Sequence, residues 1–147
     1  MFPLFRRQDR RLALAERAPA LVFAHNAHLQ RDQSSMRLGD MQVQWWSAGA
    51  FVNARLGPEY AFLATALGTI RHHGVHAPPP DTVEGRLYAL TDDRFLVDPG
   101  ALAAALGDDA HPARVSEWFG YAPLDPGHLA NYDGILFVKD CPPVPRH

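Results

Sequence analysis

A single cysteine, Cys141, stands among 147 residues, so no internal disulfide can form and a reducing compartment is expected. No apolar run approaches the roughly 20 residues that a membrane-spanning helix needs. The opening residues Met1 to Arg7 bring in charge after only a few apolar side chains, whereas a secretory leader begins basic and continues through a longer apolar stretch. A soluble cytoplasmic protein is therefore expected. Net charge is small as well, −2 at pH 7, which provides no strong attraction for nucleic acid or an acidic membrane. Glycine-rich dinucleotide and phosphate-loop patterns are missing, as is the Gly-x-Ser-x-Gly elbow of serine hydrolases. No nucleic acid, no membrane and no cofactor is expected as a partner.

Present in quantity are proline, glycine and histidine. Thirteen prolines and eleven glycines point to extended connections between elements. Nearly half the residues are hydrophobic, 47%, enough for one compact domain with a core. Eight histidines, several of them clustered, direct attention to acid/base or metal chemistry, because imidazole titrates near neutrality.

Along the chain, residues 8–17 suit a short helix with a thin apolar face. Pro19 to Ala24 is a continuous apolar run ended by His25-Asn26, the pattern of a strand buried on both faces. Residues 29–40 are polar and predict a loop. Asp40 is placed to cap a helix over 41–56, with Val43, Trp46, Ala50, Phe51 and Ala54 on one face and Gly57-Pro58 as its stop. Of Trp45 and Trp46, only one can then face inward. Tyr60 to Leu67 predicts a second buried strand. After Pro78-Pro79-Pro80, Asp81 is expected to cap a helix to about Leu90, with Glu84 in a capping box. Arg94 to Asp98 and Gly134 to Lys139 are further strand candidates, with a helix from Gly100 to Leu106 between them. Alternating strands and helices predict an α/β fold, a mostly parallel sheet of about four strands with flanking helices, as part of a larger layered α/β unit.

An apolar strand that runs into Ala24-His25-Asn26-Ala27-His28 resembles the second histidine motif of the erythromycin esterase family. Tyr60 to Gly68 is similar to that family's central strand. Ala77-Pro78 followed by Val83-Glu84 and Leu87 is similar to its proline and x-Glu-x-x-Leu helix start. Phe95-Leu96-Val97-Asp98 and Tyr132-Asp133-Gly134-Ile135-Leu136-Phe137 resemble two later strands in the expected order. The resemblance covers roughly residues 18–140, with 1–17 as an extension or short helix and 141–147 as a Pro-rich tail. It implies a hydrolase domain that acts on an ester, a macrocyclic lactone among the options, by histidine acid/base chemistry on water. In the family an earlier Glu and His supply the general base. Nothing before Ala18 could encode that earlier portion of the family, so the chain is expected to be a fragment with little esterase activity alone. A missing amino-terminal half would favour self-association.

The resemblance makes His25 and His28 the catalytic candidates, at the carboxyl end of a strand where open α/β sheets place ligands. Asn26, Arg31 and Glu84 are the substrate-binding candidates. Each has a plainer alternative: the histidines as polar residues in a turn, Arg31 and Arg37 as solvated loop arginines, Glu84 as a helix cap. His25-x-x-His28 and His72-His73-x-x-His76 also suggest metal, but tetrahedral zinc wants three or four matched ligands, and no metal is expected. A catalytically inactive interaction module and a metal-dependent hydrolase using His25 and His28 remain as alternatives.

Overall fold

The computed structural model describes residues 19–38, 40–107, 111–116 and 118–143. The helix expected at 8–17 lies outside the described residues, as does the end of the Pro-rich tail. The chain divides into two compact units, Met1–Phe62 and Leu63–His147. No helix among the described residues is long and apolar enough to cross a membrane.

In the first unit, one helical turn, α1 (Asn26–Leu29), is followed by strands β1 (Gln33–Leu38) and β2 (Met41–Trp46) and by helix α2 (Ala48–Leu56). The strands form an antiparallel hairpin in register from Gln33 opposite Trp46 to Leu38 opposite Met41. Residues 29–40 are thus not simply a loop, and the helix expected over 41–56 begins only at Ala48. Ser47, not Asp40, caps it, its hydroxyl accepting from the Ala50 N–H at 3.1 Å. The segment Met41-Gln42-Val43-Gln44-Trp45 satisfies a period of two as well as a helical period. β-Branched and aromatic side chains suit a strand, and the neighbouring strand supplies its ladder. Strand alternation leaves Trp45 half-buried and Trp46 exposed.

Pro19 to Ala24, expected as a buried strand, pairs with no strand among the described residues. Leu21 is 78% and Phe23 87% exposed. Apolar composition favours burial, but a strand exists only where a partner's N–H and C=O groups complete its ladder.

The second unit holds β3 (Leu63–Thr69), α3 (Val83–Tyr88), β4 (Arg94–Val97), α4 (Pro99–Leu106) and β5 (Gly134–Asp140), with 3-10 turns at Arg71–His73 and Pro126–Asn131. The sheet order is β3-β5-β4. β5 runs parallel to β3, Leu63 opposite Gly134 and Thr69 opposite Asp140, and antiparallel to β4. The fold is mixed α/β, with a three-stranded sheet and a separate hairpin in place of the expected mostly parallel sheet of four. Strand direction depends on the route of the connections, which apolar runs do not encode. Thr82, not Asp81, caps α3, its hydroxyl accepting from the Gly85 N–H at 3.1 Å. Asp98 caps α4 through the Ala101 N–H at 2.6 Å, with Pro99 at the first helical position, where its missing N–H costs nothing.

One face of this sheet forms the core: Ala64, Ala66, Ile135 and Phe137 are wholly buried. On the opposite face Leu63, Leu96 and Leu136 stay exposed, and Leu136 lies directly between Thr65 and Leu96 in the ladder. The apolar runs therefore bury one face, not both. Neighbouring residues of β5 should differ sharply in denaturant midpoint. Phe137→Ala should cost about 3–5 kcal/mol, whereas Leu136→Ala should cost below about 1 kcal/mol. Equal losses would contradict this assignment of faces.

Candidate active site

His25 is the residue before α1, in extended conformation, and its side chain makes no capping bond. Its carbonyl accepts from the His28 N–H at 2.8 Å, and the Asn26 carbonyl accepts from the Gln30 N–H at 2.9 Å. Three residues of helical turn return the chain to the same side, so the two imidazoles meet, ring centroids 5.7 Å apart and planes tilted by 53°. Burial lowers the proton affinity of both rings, and the neighbouring His28 lowers that of His25 further. Both are thus neutral at neutral pH, each offering one N–H and one lone pair. The Nε2 of His25 is buried and finds no hydrogen-bond partner among the described residues.

The turn is held from both sides by buried polar side chains. Gln30 Nε2 donates to Ser34 Oγ at 2.7 Å, and Ser34 Oγ donates to the Ala27 carbonyl at 2.6 Å. Ser47, the cap of α2, donates to the Gln30 carbonyl at 2.8 Å. Gln30, Ser34 and Ser47 are all buried. Arg31 Nη2 donates to the Tyr60 carbonyl at 2.6 Å with its guanidinium 5.9 Å from the Tyr60 ring, and the Tyr60 hydroxyl donates back to the Leu29 carbonyl. At the start of α2, Gly49 sits so close that a Cβ there would overlap the Leu29 carbonyl. Only glycine lets the two backbones approach this far.

Of the residues singled out from sequence, His25, Asn26, His28 and Arg31 share this turn. Glu84 lies in the second unit, on α3, and its job is not the expected capping box. With Thr82 as cap, the third helical position falls on Gly85. The Glu84 carboxyl is wholly buried. Its Oε1 accepts from the Leu124 N–H at 2.7 Å and the Tyr121 hydroxyl at 3.1 Å, while Oε2 has no partner among the described residues. Burial raises its pKa, against the opposing effect of those bonds and of the Arg114 charge. Arg114 is itself committed to three carbonyls, of Leu67, Gly68 and His76, at 2.5, 2.8 and 2.6 Å.

The histidines after β3 form a ring contact, His72 to His73 at 4.4 Å, and His73 stacks on Trp118 at 3.9 Å with planes 3° apart. Among the described residues no group of three or more His, Cys, Asp or Glu converges as a metal site would. The supports Gln30, Ser34, Ser47, Gly49 and Tyr60 escape a sequence reading because serine and glutamine look alike whether solvated or buried. The one available signal is Gly49 within the first turn of a helix, where glycine is otherwise unfavourable.

Two substitutions test these supports. Gly49→Ala should cost about 1–3 kcal/mol through overpacking and shift the imidazole NMR signals of both His25 and His28; unmoved signals would detach Gly49 from the turn. Glu84 has a folded-state pKa above its unfolded one, so its stabilising contribution is full below the ordinary carboxylate range and is lost as pH rises through the folded value. The stability of the native protein relative to Glu84→Gln should therefore fall as pH rises from about 4. A difference independent of pH would show that Glu84 does not carry a raised pKa.

A family model described as erythromycin esterase matches residues 4–141, beginning ahead of the 18–140 stretch over which the motifs are similar. No curated protein and no solved structure matches. With that match running across nearly all of its 147 residues, the chain belongs to the erythromycin esterase family.

Proposed function

We propose that the chain is a hydrolase domain in which the His25–His28 pair serves the attack of water on an ester. Family membership supports the reaction class. The carrying observation is the imidazole pair itself, two neutral rings 5.7 Å apart, one with a buried Nε2 that has no partner among the described residues. A buried polar atom left unpaired costs free energy, and a group that is to meet a substrate or water has reason to carry that cost.

Neutral imidazole can do both halves of the proton work. Its lone pair takes a proton from water as the water oxygen bonds to the acyl carbon. Its N–H polarises the carbonyl oxygen as negative charge develops there. When the acyl C–O bond breaks, the proton is returned to the departing alkoxide, leaving a carboxylic acid and an alcohol, or a hydroxy acid if the ester was cyclic. Asn26, first residue of α1, orients the substrate, and Arg31, anchored on Tyr60, supplies positive charge for the carbonyl. No cofactor is needed. Glu84 has no part in substrate contact while its carboxyl stays wholly buried.

The test is turnover of p-nitrophenyl acetate. Rates should be slow, because burial and His28 both lower the basicity of His25. His25→Ala should lower them by roughly a hundredfold, and His28→Ala by less. Depressed proton affinity places the acid limb of the profile below the ordinary histidine value of about 6.5. Equal rates for the native protein and His25→Ala would remove His25 from the chemistry.

A further inference from the structure

The carboxyl ends of β3 and β5 lie side by side, Thr69 opposite Asp140 in the parallel ladder. Beyond the carboxyl ends of parallel strands an open α/β sheet leaves a crevice, because the following loops diverge. A cleft of about 480 Å³ opens here, lined by Thr69, Arg71, His72, Arg94, Asp140 and Cys141 and flanked by Pro142 and Pro143. That volume suits a small molecule.

The charges in the cleft are unbalanced. Its lining residues include two arginines and a histidine against one aspartate, whose carboxylate accepts a bond from the Thr69 hydroxyl at 2.6 Å. The walls are also pinned. Arg71 and His72 ride on a 3-10 turn closed by two bonds between Ile70 and Val75, at 2.9 and 3.2 Å. Gly74 completes that turn at φ 74°, a left-handed conformation that favours glycine, and His73 stacks on Trp118. Arg94 opens β4 opposite Val138. The Cys141 N–H donates to the Thr69 carbonyl at 2.9 Å, tying the far wall to β3. Guanidinium groups suit a planar or tetrahedral oxyanion, because their fork of N–H donors matches its geometry.

We propose that this cleft is an oxyanion site, taking the carboxylate or phosphate of a small molecule between Arg71 and Arg94, with His72 beside it and Pro142 and Pro143 against its apolar part. It lies wholly in the second unit and uses no residue of the His25 turn, so it stands or falls independently of the esterase proposal.

Cys141 is the chain's single cysteine, so its labelling by N-ethylmaleimide, an uncharged reagent, reports on this cleft alone. Burial raises the pKa of its thiol, Arg94 opposes this and Asp140 adds to it, so the Arg94 variant must be compared by fold-protection and not by absolute rate. Inorganic phosphate or benzoate, at constant ionic strength, should slow labelling several-fold in a saturable way. Arg71→Gln or Arg94→Gln should weaken that protection by roughly tenfold, and the double variant should abolish it. Both arginines are exposed, so folding should survive, as circular dichroism would check; if the double variant fails to fold, the single variants carry the same test. Protection by benzoate assigns a carboxylate ligand and protection by phosphate a phosphate. No protection by either, equal protection by chloride, or protection undiminished in the arginine variants would overturn the proposal.

Discussion

Buried backbone groups that no helix or sheet satisfies must find partners elsewhere, and both units are organised around that requirement. In the first, the Gln30 carbonyl is satisfied by Ser47 and the Ala27 carbonyl by Ser34. In the second, Arg114 satisfies three carbonyls at the end of β3 and in the loop after it, and Glu84 satisfies the Leu124 N–H. A small hydrophobic cluster of Ile70, Val75 and Tyr121 packs around this second arrangement. Each such side chain converts an irregular segment into a fixed one, at the cost of removing a polar or charged group from water.

This constraint explains why the histidine turn can be short and still defined. Four residues of helix are too few to be stable alone. Here the turn is held by Ser34 from β1, by Ser47 and Gly49 from the start of α2 and by Tyr60 after it. The rings of His25 and His28 inherit their geometry from those contacts, and partial burial lowers the proton affinity of both. The same logic turns Glu84 from a surface helix cap into an internal acceptor, for the first turn of α3 is wholly enclosed.

Some elements were legible in the sequence and some were not, for identifiable reasons. β3, β4, β5 and α4 were readable because short apolar runs bounded by glycine, proline and aspartate have few other solutions. The hairpin was hidden: Met41 to Trp46 fits two periods at once, and its partner Gln33 to Leu38 is polar enough to pass for a loop. The segment 19–24 misled in the opposite direction, since apolar composition measures the tendency to be buried and carries no information about an available ladder. Of the histidine site, the motif His25-Asn26-Ala27-His28 could be read, while its supports could not.

The sequence by itself determined the mixed α/β character, the main strand and helix positions of the second unit, and the family, because these rest on local pattern and on motifs in a set order. Tertiary structure alone decided the direction of β4, which face of the sheet is buried, the role of Glu84 and the assembly of the oxyanion cleft. Each of those depends on which residues, tens of positions apart, are brought within hydrogen-bond or packing distance. Glu84 meets Tyr121 and Leu124 at separations of tens of residues, and Thr69 meets Asp140 because β5 pairs alongside β3.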